Sequence, residues 1–223
     1  TAVALPDVWR FIHSRWRRGW RVVWTVAFGW LLLLSLAFLV FGTASRLDDR
    51  FPRENGRPPV GTLDGMAYMQ AGRYTWNPDP AQSANSWIDL RYDYDAIRWL
   101  LDNVSGTPLV AEAPIGYYRE GGLRVASFTG FPTFIGFHQE GEQRYGSQTG
   151  PRRSQAEEFW RTPDAARARQ LIDELGVDYI YVGQLERITT PADGLAKFAV
   201  LEEQGVIEVV YQNEQVVIYK VSR

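Results

Sequence analysis

Within the stretch FTGFPTFIGFHQEGEQRYG, residues 128–146, His138, Glu140, Glu142 and Arg144 crowd together between glycines and aromatic residues. Two carboxyls beside an arginine can work as acid and base, or hold a divalent cation together with a phosphate. A surface loop with ordinary polar residues is the other reading of the same letters. His138 is the one histidine after His13, and the chain has no cysteine. No Ser–His–Asp order can be argued from a single histidine, and a metal would be left with carboxylates. The lack of cysteine also excludes disulfides and thiolate metal sites. No catalytic set stands out beyond these four candidates, and no cofactor is expected.

Other chemically suggestive residues are more scattered. Gly183-Gln184-Leu185-Glu186-Arg187 follows a strongly apolar run, so Glu186 and Arg187 suit either a ligand at a strand end or a structural ion pair. Arg152 and Arg153, just after Pro151, suit a lipid phosphate or the solvated start of a helix. Asp64 in TLDGM reads chiefly as a turn cap. The glycine-rich IGYYREGGL, 115–123, lacks the G-x-G-x-x-G spacing of a dinucleotide loop and reads as a connection. Asn103-Val104-Ser105 matches a glycosylation sequon, with a helix-end asparagine as the simpler account.

The elements that must position these residues become regular from Asp93. DYDAIRWLLDNVSG places Ile97, Leu100, Leu101 and Val104 on one face and predicts an amphipathic helix ending near Gly106. TPLVAEA (107–113), LRVASFTG (123–130) and VDYIYVG (177–183) read as strands. RRSQAEEFW (152–160), PDAARARQLIDELG (163–176) and GLAKFAVLEEQG (194–205) read as helices, with Pro163 suited to a first turn and Gly176 to a stop. VIEVVYQ and QVVIYKV flank Asn213-Glu214 as a closing hairpin. Alternating strands and helices with an antiparallel hairpin at one edge predict an α/β, Rossmann-like layered domain over 62–223. Residues 46–61, with Pro52, Gly56, Pro58, Pro59 and Gly61, read as a linker.

Ahead of this domain, Val22 to Ser45 carries no charged residue. As a helix at about 1.5 Å per residue it spans about 36 Å, enough to cross a hydrocarbon core of roughly 30 Å. A signal peptide is the rival, but its apolar region would be only about 7–15 residues. Gly29, Ser35 and Gly42 offer small contacts for packing against other membrane helices. Residues 1–21 carry five arginines against one aspartate, a net +4, which leaves −6 for the remainder of a chain whose total is −2. Trp9, Ile12, Trp16 and Trp20 recur there at helical spacing, which suits a basic helix at the lipid surface; a loop with a positive-inside bias is the plainer account. The charge asymmetry predicts a single span in the inner or plasma membrane, with the arm cytoplasmic and residues 46–223 extracytoplasmic. An acidic domain is a poor binder of phosphate backbones, so nucleic acid is excluded as a partner. The expected partners are membrane lipids and other transmembrane helices.

Several segments in order, TLDGMAYM, DAIRWLLDNVSGTPLVAEA, ASFTGFPTFIGF, VDYIYVGQLER, LAKF and VVIYKV, resemble the C-terminal region of the YYY family, polytopic membrane proteins of Chloroflexi and archaea. The likeness covers about residues 43–221. It implies descent from a membrane-embedded glycosyltransferase of the GT-C type that uses a lipid-phosphate-linked sugar donor. The family pattern of Pro-Thr-x-x-Gly-Trp followed by His-Glu-x-Gln-Trp-Arg is degraded here. Pro132, Thr133, Gly136, Gln143 and Gly146 fit and Phe137 stands for the tryptophan, but Glu140 falls at the histidine, Gly141 at the glutamate, Arg144 at the second tryptophan and Tyr145 at the arginine. Two functions follow as expectations. One is an accessory or scaffold subunit of a larger membrane complex, which is not itself an enzyme. The other is the C-terminal domain of a GT-C-like glycosyltransferase, and a divalent cation enters only with this second reading.

Overall fold

The computed structural model describes residues 5–50, 61–76, 86–116, 121–136 and 146–222, and it divides into two compact units, Thr1–Glu54 and Asn55–Arg223. In the first unit, helix α1 (Leu5–Arg15) is followed at Trp16–Arg17 by a break and then by helix α2 (Arg18–Arg50). The aromatic and basic arm is therefore not one helix, because the chain turns before Trp20. Ile12 is buried, and the Trp9 ring stacks on His13 at 4.1 Å and meets Trp24 edge-on at 5.8 Å. Arg21, Trp24 and Phe28 are half-buried, three and four residues apart, which is the helical stripe that α1 covers. The corner is held by the Trp16 N–H on the Ile12 carbonyl (3.1 Å) and by Arg21 Nε donating to the Trp16 carbonyl (2.7 Å). Helix α2 outruns the uncharged stretch at both ends. Arg46, Leu47, Asp48 and Asp49 continue it, since no glycine or proline intervenes before Pro52.

The second unit is the expected α/β domain. Among the described residues its sheet has four strands in the order β3-β4-β6-β5: β3 (Val110–Ala111), β4 (Tyr179–Val182), β5 (Ile207–Gln212) and β6 (Val217–Val221). β3 runs parallel to β4 with Val110 opposite Tyr179, β6 runs antiparallel to β4, and the hairpin strand β5 forms one edge with a bulge between Val209 and Tyr211. Of TPLVAEA, only two residues pair. A separate antiparallel pair, β1 (Arg73–Trp76) with β2 (Ser86–Asp89), lies mostly in AGRYTWNPDPAQSANSW (71–87), a stretch that reads in sequence as turn-rich.

Alternation along the strands separates two cores, one on each sheet face. Ile180, Val182, Ala111, Ile207 and Val221 pack with Phe159 and Trp160 of α5 (Gly146–Arg161), Leu171 and Ile172 of α6 (Ala165–Leu175), and Phe198 and Leu201 of a later helix, α8 (Ala192–Glu203). Tyr181, Val110, Val216 and Ile218 pack with Ile97 and Leu100 of α3 (Leu90–Asn103), with Val125 of α4 (Arg124–Thr129), and with Met69 of a 3-10 turn, Ala67–Gln70. Helices on both faces of a sheet with a parallel pair give the layered, Rossmann-like arrangement.

Local chemistry explains the helix ends. Asp89 caps α3 by accepting from Arg91 N, and Asp164 caps α6 by accepting from Ala166 N and Arg167 N. Gly176 takes φ +71° and stops α6, a left-handed position that glycine fills without strain. Asp64 accepts from the Met66 N–H at 2.9 Å ahead of the 3-10 turn, as its place in TLDGM suggests. The segment LRVASFTG is the main departure from the sequence reading, being the helix α4 and not a strand. Its first N–H groups are taken by a carboxylate from outside the segment. Glu112 accepts from Val125 N at 2.9 Å and from Ala126 N at 3.0 Å, so a residue thirteen positions upstream supplies the cap.

Candidate functional site

The carboxyl ends of β3 and β4 are where an α/β sheet presents its ligand-binding loops. Glu112 and Ala113 follow β3, while Gly183 and the short helix α7 (Gln184–Thr189) follow β4. Between them lies a buried charged cluster. Arg124, the first residue of α4, donates through Nε to Asp93 Oδ1 of α3 at 2.8 Å and through Nη2 to Glu186 Oε2 of α7 at 2.7 Å. Tyr181 of β4 donates its hydroxyl to the same Asp93 oxygen at 2.5 Å, and the Arg124 guanidinium stands 5.1 Å from the centre of the Tyr181 ring. Glu186 also accepts from the Ala113 and Gly183 N–H groups at 3.0 and 2.9 Å.

Asp93 and Glu186 are wholly buried and Arg124 is 6% exposed. Burial alone would lower the arginine pKa, but Asp93 and Glu186 outweigh it and hold the guanidinium well above its ordinary value. Burial, and then the Asp93 charge, pushes the Tyr181 hydroxyl well up. Burial pushes the Glu112 carboxyl up to about 7, against Arg124 and its two backbone donors. Two atoms in this region are buried without a hydrogen-bond partner, Asp93 Oδ2 and the Tyr74 hydroxyl. Gly121, at φ +74°, lies against that hydroxyl, and a Cβ there would meet it at 2.2 Å.

A group that no substrate can touch cannot transfer its proton to one. The cluster therefore acts as a tie between α3, α4, β4 and α7. Beside it, the Trp160 indole N–H donates to the Glu112 carbonyl at 3.2 Å, and Trp160 also lines a cavity of ≈ 250 Å³. Pro114, Ile115 and Gly116 after β3, Thr189 and Thr190 at the end of α7, and Glu157 and Arg161 on α5 complete its wall.

The candidates read from sequence are dispersed. His138, Glu140, Glu142 and Arg144 lie outside the described residues. Arg152 and Arg153 sit half-buried on α5, with Arg152 Nε donating to the Phe134 carbonyl at 2.6 Å. Glu186 and Arg187 are not paired with each other: Glu186 faces inward to Arg124, and Arg187 donates to the Gln215 carbonyl in the hairpin turn. Asn103 closes α3 by donating to the Trp99 carbonyl at 2.8 Å. On α2, Ser35 and Gly42 are seven residues apart and share a face, whereas Gly29, six residues before Ser35, lies about 120° round the helix. The sequence reading did not select Asp93, Glu112, Arg124 or Tyr181. The available signal was a charge inside an apolar run, Glu112 in TPLVAEA and Arg124 in LRVASFTG.

No family model and no curated protein matches the chain. The likeness to the YYY family thus stands on the sequence segments alone. Among solved structures, the chain is similar to the C-terminal globular domain of an oligosaccharyltransferase from Archaeoglobus fulgidus, at a TM-score of 0.37 and 11% identity, over 57% of this chain and 95% of that one.

Proposed function

We propose that the chain is a membrane-anchored α/β domain that serves as an accessory or scaffold part of a larger membrane assembly, with residues 46–223 on the extracytoplasmic side. The observation that carries this reading is the surface of α2. From Gly29 to Phe41 all but Ala37 are exposed, and Trp30, Leu31, Leu33, Phe38, Val40 and Phe41 are among them. An apolar helix of this length, mean hydropathy 2.3 in its best window, needs lipid or other helices around it.

Substitution at Gly29, Ser35 and Gly42 tests the assembly. A Cβ at Gly29 meets nothing within 4 Å, and at Gly42 it meets the Phe38 ring no closer than 3.4 Å, so the helix backbone accepts a Cβ at both positions. The triple variant Gly29→Leu, Ser35→Leu, Gly42→Leu is expected to stay in the membrane but to migrate as a smaller species on native gels. An unchanged assembly size removes the scaffold reading.

A second reading is favoured by the cavity at the strand ends, in which Glu157 and Arg161 stand one helical turn apart. In that reading the domain belongs to a GT-C-like glycosyltransferase with a lipid-phosphate-linked sugar donor. His138, Glu140, Glu142 and Arg144 would then supply the chemistry, with a divalent cation if the carboxylates hold one, and Arg152 and Arg153 would meet the donor phosphate. Membranes carrying Glu140→Ala, Glu142→Ala and Arg144→Ala together should then lose sugar transfer, and unchanged transfer excludes this role.

A further inference from the structure

We propose that the corner between α1 and α2 is a site for one phosphate-bearing lipid headgroup, held by the Arg17 guanidinium between the indoles of Trp16 and Trp20. The proposal rests on reading α2 as a membrane span. A cavity of ≈ 460 Å³ opens at this corner, lined by Trp16, Arg17 and Trp20. The fold-back of α1 shapes it, and Arg21 holds both sides. Its Nε donates to the Trp16 carbonyl at 2.7 Å, and its N–H donates to the Arg17 carbonyl at 3.1 Å.

Among the described residues, the arginines that flank the corner have no carboxylate partner. Asp7 is paired with Arg10 at 3.2 Å, and among the described residues no carboxylate pairs with Arg15, Arg17 or Arg18. Guanidinium groups bind phosphate oxygens through paired N–H donors, so Arg17 in the wall of the cavity, with Arg15 and Arg18 beside it in sequence, favours an anion there. Trp16 is 37% and Trp20 64% exposed, and indoles prefer the boundary between hydrocarbon and water.

Position selects the ligand. Trp9 meets Trp24, seven residues beyond Arg17 and about 10 Å along the helix, so the corner is the far end of a helical hairpin. The uncharged face of α2 starts below it, with Val22, Val23 and Val26 exposed as a path for an acyl chain. A headgroup with net negative charge fits, whereas a zwitterionic one brings a cation toward Arg17.

The test uses the full chain in nanodiscs of phosphatidylcholine with or without phosphatidylglycerol, and native mass spectrometry of the lipid retained on release. The expected result is one retained phosphatidylglycerol with a preference of about fivefold per arginine contact. Arg17→Gln should abolish the preference, while Arg10→Gln, whose charge is already paired, keeps it. Retention that ignores Arg17→Gln overturns the site. Displacement of the lipid by inorganic phosphate also overturns it, in favour of a free-anion site. Carbonate extraction of the wild-type chain from membranes runs in parallel. Release into the supernatant overturns the span and the site together, whereas a chain that resists extraction yet shows no selectivity overturns the site alone.

Discussion

Glu112 is a side chain that performs its task at a cost. Its carboxylate caps α4 from inside the core, and burial holds the group at about 7 where an ordinary glutamate stands at 4.5. The folded state binds the proton more tightly than the unfolded chain does, so stability is greatest below about pH 4.5 for this group and falls as pH rises toward 7, by about 3 kcal/mol. Chemical denaturation across pH 4.5–7 should show that slope, and Glu112→Gln should flatten it. Arg124 poses the opposite problem, for its removal strands two buried acids. Arg124→Met is expected to lower unfolding free energy by about 3–5 kcal/mol, read from denaturant midpoints. Tyr74→Phe deletes a hydroxyl that bonds to nothing, and should leave stability unchanged or raise it by up to about 1 kcal/mol. None of these roles is local in sequence. Asp93, Arg124 and Glu186 are far apart along the chain, and only the packing of α3, α4 and α7 brings their charges together.

Helix α6 carries its own end signals and was legible from the sequence, whereas α4, capped from elsewhere, was not. Asp164 and Gly176 announce the two ends of α6 within the segment itself. The reading of α4 failed because LRVASFT alternates like a strand while its cap comes from Glu112. The pair β1–β2 escaped because each strand is only four residues long, too short for the alternation in Arg73–Trp76 to stand out among the turn residues around it. A close approach at the junction of α5 and α8 was equally invisible. Lys197 Nζ donates to the carbonyls of Trp160 and Gly194, at 3.0 and 2.6 Å, and so satisfies the end of α5. A Cβ on Gly194 would stand 2.6 Å from the Trp160 oxygen. Gly194→Ala should therefore cost about 1–3 kcal/mol in thermal or denaturant unfolding, despite the better helix propensity of alanine.

At the scale of the whole molecule, the apolar helix and the α/β domain were plain from hydropathy and periodicity, since both signals average over many residues. The candidate site was not, because its residues obey no period. The division at about residue 54 predicts separable behaviour. A chain beginning at Gly61 should remain in the supernatant and unfold cooperatively, whereas the full chain should sediment with membranes and resist carbonate. Sedimentation of the shortened chain with membranes would show that the second unit binds lipid by itself.

Strand β6 lies between β4 and β5, yet it follows every other strand in the sequence. During synthesis the chain emerges amino end first, so β4 must wait with a bare edge until the final strand arrives. The sheet cannot assemble progressively from its amino end; the β4–β6 ladder closes in one late step. Stalling synthesis before Val217 should leave a protease-sensitive intermediate with Ile180, Tyr181 and Val182 uncovered, and extension through Val221 should convert it to the resistant state.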